Sequence, residues 1–233
     1  TNSKEKSSLS VIGGGATGIQ ILFELAGYLY RRGINHGLQL IDDEKRVWRQ
    51  FPKGFSRYVE KRMLELDIEF YPEVHFLEQR TDTLLLKDKA NGQHFELPSL
   101  LALKFTGNRQ GDLLKTNSFG QVMVDGKPLE HIFAAGDCSL YQSPGSNTMT
   151  AQSAVRKGKL AARNLLRHSG LLKLLERYLH RDLGYVVSLG AEDAVGWLAV
   201  ENHVVTGIPA QIIKEVVEAQ YDLLLSGVDT YLV

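Results

Sequence analysis

The 233-residue chain has one cysteine, Cys138. A single thiol excludes an internal disulfide and any Cys-x-x-Cys redox pair, so a cytoplasmic setting is expected. Cys138 itself is expected to be a small buried apolar residue rather than a redox thiol. Excess charge is also missing: 27 basic side chains balance 27 acidic ones. That balance argues against a nucleic-acid partner. No apolar run is long enough to cross a bilayer. The polar opening TNSKEKSS lacks the apolar stretch of a secretion signal and reads as a disordered lead-in. The histidines (His36, His75, His94, His131, His168, His180 and His203) show no metal-type spacing, so no metal is expected. No Ser/His/Asp or Cys/His arrangement stands out, and there is no repeat or low-complexity segment.

What the chain does have is glycine in two informative places. The first is VIGGGATG, Val11 to Gly18, where an apolar strand (Leu9, Val11, Ile12) runs into Gly13-x-Gly15-x-x-Gly18. Gly13 permits the tight turn, Gly15 admits phosphates close to the backbone, and Gly18 allows a helix to pack near the sheet. Gly14 and Thr17 complete the loop, whose free N–H groups at the helix start suit a pyrophosphate. A helical rhythm follows from Thr17 to Arg32 through Ile21, Leu22, Leu25 and Leu29, stopping near Gly33. Leu38 to Ile41 is a second strand closed by Asp42, near the ~20-residue offset of a ribose-binding carboxylate. Asp42 and Asp43 in tandem would accept a 2′-hydroxyl and repel a 2′-phosphate, which favours NAD(H) over its phosphorylated form. Lys45 and Arg46 read as a solvated turn.

The pattern continues as α/β. Ser56 is placed to cap a helix with an apolar face of Val59, Met63 and Leu66, and Ile68 to Tyr71 returns to the sheet. Val74 to Leu97 has the short rhythm of an antiparallel meander, with turns at Arg80-Thr81-Asp82 and Asn91-Gly92. Leu100 to Phe105 is a buried strand closed by Thr106-Gly107. A linking stretch with Gly111, Gly120 and a Val124-Asp125-Gly126 turn leads to the second glycine feature, IFAAGDC, where a strand at Ile132 to Ala135 ends on Gly136-Asp137. A helix from Thr150 to Leu166, a short amphipathic segment (Leu171 to Leu179), a strand around Tyr185 to Leu189 and a final helix from Pro209 to about Leu225 complete the chain.

These motifs together resemble the two-dinucleotide-fold flavoproteins, and most of all the type II NADH:quinone dehydrogenases. The resemblance rests on the GGGATG fingerprint, Thr106-Gly107, Ala134 to Cys138, Thr150-Ala151-Gln152-x-Ala154, and DLGYVVSLG…AVG from Asp182 to Gly196. In that family the NAD fingerprint stands about one domain length before the Gly-Asp strand, as Gly13 does before Gly136, while an FAD fingerprint lies far upstream. The resemblance therefore implies a fragment. A Rossmann-like NAD(H)-binding domain (7–107; parallel sheet plus small antiparallel meander) is followed by the second part of an FAD-binding domain (108–168) and an α+β C-terminal interface segment (169–233).

The resemblance further implies that Gly13, Gly14, Gly15, Thr17, Gly18, Asp42, Thr106 and Gly107 serve NAD(H). Gly136 and Asp137 serve the ribityl–phosphate region of FAD, and Ala151 and Gln152 lie near the flavin or its acceptor. Without the upstream half, the strand at Ile132 to Ala135 is expected to lack sheet neighbours. The implied partners are a small-molecule electron acceptor such as quinone, the inner face of a membrane touched peripherally, and a second copy in a homodimer. Two departures stand out. Gln20 replaces the family's Glu near the nicotinamide, with Glu24 one turn on, and Arg156 replaces a second Gln near the quinone approach. The Gln20 replacement removes a charge. The alternative is an NAD(H)-binding module that holds no flavin and turns nothing over alone. A third reading changes the acceptor to a ferredoxin, sulfide or disulfide, and the lone cysteine argues against the last two. The apolar stripe of the final helix (Ile212, Ile213, Val216, Val217, Leu223, Leu224) suits either docking or packing on its own core.

Overall fold

A computed structural model describes residues 8–49, 51–107, 113–143, 149–171, 174–179, 184–198 and 203–230. Gly111, His180 and Asp182 of the motifs above lie outside the described residues. The chain forms two compact units, one of residues 1–107 with 183–233 and the other of residues 108–182. The expected C-terminal segment 169–233 is thus divided between them.

In the first unit, β1 (Ser8–Ile12), β2 (Gly37–Ile41), β3 (Ile68–Tyr71) and β7 (Leu101–Lys104) make a parallel sheet in the order β3-β2-β1-β7. Helices α1 (Ala16–Arg31) and α2 (Lys53–Glu65) supply the connections, as parallel strands require crossovers. β1 and β2 are covered, with Val11 and Leu40 of the strands and Ile19 and Leu22 of α1 fully buried, and their buried polar side chains are paired, the Ser10 hydroxyl lying 3.0 Å from Gln39 Oε1. Strands β4 (Val74–Gln79), β5 (Thr83–Asp88) and β6 (His94–Pro98) form the antiparallel meander, turning where the Arg80 and Asn91-Gly92 signals lie.

The tail joins this same core. β12 (Gly184–Ser188), β13 (Ala194–Leu198) and β14 (Val204–Thr206) form an antiparallel sheet with α4 (Ile208–Leu225) beside it. Val187, Leu189, Val195 and Trp197 pack with Phe23, Phe55 and Val59. Tyr185 stacks on Phe51 with ring centroids 4.5 Å apart. Asp193 accepts hydrogen bonds from the Tyr58 hydroxyl at 2.9 Å and from Arg62 Nε at 2.7 Å. In α4 only Ala210 is buried. Ile208, Ile212, Val216 and Val217 are exposed, so the stripe does not serve as a core face among the described residues.

The second unit holds β8 (Leu114–Thr116), β9 (Gln121–Val124), β10 (Lys127–Phe133) and β11 (Ser139–Tyr141) in the order β10-β9-β8-β11, with α3 (Ala151–His168). Asp125 and Gly126 both have positive φ, 49° and 76°, the hairpin geometry that the right-handed twist of β9 and β10 favours.

Several expectations need correction. Pro52, with φ at −52°, takes the cap position of α2, so Ser56 lies inside the helix. There its hydroxyl donates to the Val47 carbonyl and accepts from Arg46, each at 2.6 Å. Leu66 falls just past the helix end and is exposed. The presumed link between Gly111 and Ile132 contains β8 to β10, and the strand reaching Phe133 is not without neighbours, since it pairs antiparallel with β9. Residues 174–179 form no helix or strand, though Tyr178 is buried. Cys138 is exposed, because it ends a single 3-10 turn, Gly136–Cys138, and its Sγ meets the Ala135 carbonyl at 3.2 Å.

Asp193 ties the tail to α2, and its removal leaves the Tyr58 hydroxyl and one Arg62 donor in a half-buried site without their acceptor. Asp193→Ala is expected to cost about 1–3 kcal/mol of stability. The check is chemical denaturation, and an unchanged midpoint would mean that these bonds carry no net stability.

Candidate functional site

The end of β1, the start of α1 and the ends of β2 and β7 enclose a cleft of about 560 Å³. All eight residues expected to serve NAD(H), Gly13, Gly14, Gly15, Thr17, Gly18, Asp42, Thr106 and Gly107, line it. Gly13 has φ +104°, and its N–H donates to the Ile41 carbonyl at 2.8 Å. That bond hangs the turn on the end of β2. A Cβ at Gly18 would overlap the Gly13 carbonyl oxygen and touch Phe105 at 3.6 Å. Gly15, at the N-cap of α1, faces open space. The first turn of α1 holds no acidic residue, so nothing there competes with an anion for the helix-end N–H groups.

Asp42 does more than the spacing suggests. Its carboxylate accepts the N–H of Gly14 through one oxygen and that of Glu44 through the other, the latter at 2.7 Å. A Cβ at Gly14 would run into this carboxylate. Burial pushes the Asp42 carboxyl above the usual range, against the two backbone hydrogen bonds, with Asp43 and Glu44 adding repulsion. Two charge-assisted bonds would normally hold such a group low. The upward direction shows that desolvation outweighs them.

The neighbouring charges are largely spent on one another. Asp43 faces His75 Nδ1 at 3.0 Å, and Arg49 meets Glu44 at 3.1 Å. Arg46 donates to Ser56 and to the carbonyls of Arg49 and Phe51, so it is engaged with its neighbours rather than standing as a free cation. His75, Lys104, Trp48 and Arg49 also line the cleft. Sequence reasoning missed them. Only Arg49 carried any signal, as a cation just past the acidic strand end. Gln20 is not among the lining residues.

In the second unit, the Gly136–Cys138 turn ends the β10 segment and packs on α3. Gly136 has φ +74°, and a Cβ there would reach only Ala154, at 4.0 Å. Asp137 and Ala151 are exposed and Gln152 is half-buried. Thr150 caps α3 by accepting from the Ser153 N–H at 3.2 Å, and the first turn carries no acid. The turn thus offers one carboxylate at a strand end beside an acid-free helix start. Sequence reasoning missed Lys157. It is buried under this turn, donates to the Ser139 carbonyl at 3.0 Å and stands over the Tyr141 ring at 5.2 Å. Burial pushes its ammonium downward, and the nearby Asp137 carboxylate opposes that. The open glycine turn and long cleft of the first unit fit an extended dinucleotide. At this turn the second unit offers an acceptor for a hydroxyl, the Asp137 carboxylate, beside the acid-free start of α3.

Comparison with known proteins agrees with this architecture. The chain is 28% identical over 218 residues to the type II NADH:quinone oxidoreductase of Haemophilus influenzae, a match covering 84% of this chain and 47% of the relative. It therefore spans about half the length of that protein. Among solved structures it resembles NDH2 of Plasmodium falciparum in complex with NADH, with a TM-score of 0.77 at 15% identity, covering 92% of this chain and 62% of that one. The sulfide:quinone oxidoreductase of Aquifex aeolicus gives a TM-score of 0.67 at 18% identity, covering 96% and 59%. The fold is that of the type II NADH dehydrogenases. The pyridine nucleotide-disulphide oxidoreductase profile matches residues 1–158, and the chain belongs to that family.

Proposed function

We propose that the cleft of the first unit binds NADH, and that this chain is the coenzyme-binding part of an FAD-dependent NADH dehydrogenase that passes electrons to an acceptor such as quinone. The observation that carries this reading is the glycine turn and Asp42 meeting in one cleft. The Gly13–Gly18 turn and the start of α1 hold the pyrophosphate by backbone N–H groups. Asp42 keeps one face for a ribose hydroxyl while locking the turn. Asp43 adds negative potential beside Asp42 where a 2′-phosphate would lie, while Arg49 is paired with Glu44 and Arg46 donates to backbone carbonyls. Asp137, Ala151 and Gln152 are the residues for the flavin side. A flavin, where bound, supplies the hydride-accepting chemistry. This chain's part is to orient the two ligands and exclude water.

The names of the relatives support quinone as acceptor. Among the described residues no helix is long and apolar enough to cross a membrane. The exposed Ile208, Ile212 and Val216 of α4 support the implied contact with a membrane surface or a second copy. The reading as an NAD(H)-binding module without flavin draws on one contrast. The first unit has a half-open cleft for its nucleotide, whereas the second offers an exposed turn.

Titration with reduced coenzyme is the direct test. NADH is expected to bind at least about tenfold more tightly than NADPH, a difference of about 1.4 kcal/mol. Calorimetry showing heat from neither would overturn the coenzyme site. Gly18→Ala should abolish binding by displacing the turn. A yellow preparation absorbing near ~450 nm would favour the flavoprotein reading, and a colourless one that binds NADH the module.

Asp42 makes a separate prediction about stability. Its folded carboxyl holds a proton more tightly than the unfolded chain does. Its contribution is therefore fully present below the ordinary carboxylate pKa and is lost as pH rises through the raised folded value. Asp42→Asn keeps an acceptor oxygen for Gly14 and removes the titration. Denaturation of both proteins across the acid range should show the wild type losing stability relative to the variant as pH rises. Parallel curves would refute the direction assigned to Asp42.

A further inference from the structure

His131 and His168 are far apart in the chain, yet the second unit brings their rings together. His131 stands on β10, and His168 is the last residue of α3. Nε2 of His168 lies 2.7 Å from Nδ1 of His131. The ring centroids are 4.6 Å apart with planes at 76°, and Phe133 backs the His168 ring at 6.4 Å. At that separation one imidazole donates its N–H and the other offers its lone pair. An ion held by both rings would replace that hydrogen bond, lying to one side of the line between the two nitrogens.

The separation bears on which ion fits. With metal–nitrogen bonds of about 2.05 Å, two nitrogens at right angles lie about 2.9 Å apart, and two at a tetrahedral angle about 3.3 Å. From its 2.7 Å spacing the pair must open by about 0.2 Å for the first geometry and by about 0.6 Å for the second, and in either case each ring must turn by roughly 35–45° so that both lone pairs meet at the ion. Right-angled nitrogen coordination is the preference of copper(II) and nickel(II), and copper(II) is the tighter of the two. Electrostatics point the same way. The negative end of the α3 dipole favours a cation nearby, although its Leu165, Leu166 and Arg167 carbonyls already accept from Ser169, Leu171 and Gly170, and Arg167 is held by Glu176 at 3.1 Å. Among the described residues no third His, Cys, Asp or Glu joins the pair as a group of ligands, so water completes the coordination.

We propose that His131 and His168 form an open two-imidazole site for a divalent transition ion of right-angled geometry, copper(II) foremost. The ion would clamp the β10 segment to the end of α3 just ahead of the Gly136–Asp137 turn. The site is independent of the coenzyme reading.

The test uses the full chain carrying Cys138→Ser, because the exposed thiol binds copper by itself. Titration with copper(II) should show one ion per chain, tighter than zinc, with magnesium not binding. The copper spin-resonance spectrum should carry hyperfine structure from two imidazole nitrogens. His131→Gln and His168→Gln should each weaken binding by more than the about tenfold cost of losing an outer-sphere partner, and His203→Gln should leave it unchanged. Metal-free melting curves establish that the variants fold. Unweakened copper binding in either variant would overturn the site, and so would a spectrum of one nitrogen or none, which can be read without any histidine substitution.

Discussion

The first unit depends on a contact that leaves no room for a single carbon atom. The Gly13 carbonyl oxygen occupies the position a Cβ on Gly18 would take, so α1 lies against the strand end as closely as backbone permits. Because Gly13 is in turn bonded to the Ile41 carbonyl, the height of α1 over the sheet is fixed by β2 as well as by β1. The open face at Gly15 follows from this. The helix start is pushed forward over the strand ends and its N–H groups border the cleft instead of the core. A looser packing would fill the cleft from behind and leave the amides facing protein.

Asp42 shows how such a turn is held before any ligand arrives. Its two oxygens are matched to N–H groups on opposite sides, Gly14 on the turn and Glu44 on the following loop. An acid with one more methylene at this position would extend past Gly14 into the cleft, so the shorter side chain acts as a brace as well as a ligand. The cost is a partly desolvated carboxylate beside two more acids. A hydroxyl-bearing ligand relieves that cost by donating to the carboxylate, and a phosphate adds to it. Coenzyme choice and turn rigidity therefore rest on the same carboxylate.

Much of this was legible in the sequence, for a physical reason. A covered parallel strand is rich in apolar residues, a surface helix repeats every 3.6 residues, and the glycines between them have no neutral substitute. Leu9 to Asp42 carries all three signals, and each agrees with the others. The second unit carries weaker ones. β8 and β9 are three and four residues long, and Leu114, Val124 and Ile132 are about half exposed, so neither alternation nor continuous burial marks them. Ser56 misled because a hydroxyl that accepts and donates inside a loop–helix contact has the same composition as a cap. Cys138 misled because burial was inferred from residue type, whereas a one-turn 3-10 segment turns its last side chain outward. The meeting of His131 with His168 is a tertiary fact with no spacing to announce it.

Lys157 carries this difference between the units one step further. In the helical pattern of α3 a lysine between Arg156 and Gly158 looks solvated, yet it is 2% exposed. A lone buried ammonium is costly unless the surroundings supply acceptors. Here they are a carbonyl, a ring face and the nearby negative charge of Asp137. The first unit is held chiefly by apolar packing and uses charge at its cleft. The second unit places polar groups at its centre: Lys157 under the Gly–Asp turn, and Asn164 donating to the Phe119 and Glu176 carbonyls at 2.8 and 2.7 Å. Such a centre is specified by hydrogen-bond geometry more than by area, so it tolerates little displacement. The Lys157 bond to the Ser139 carbonyl fixes the residue just past the Gly136–Cys138 turn, and its charge adds attraction for the exposed Asp137 carboxylate.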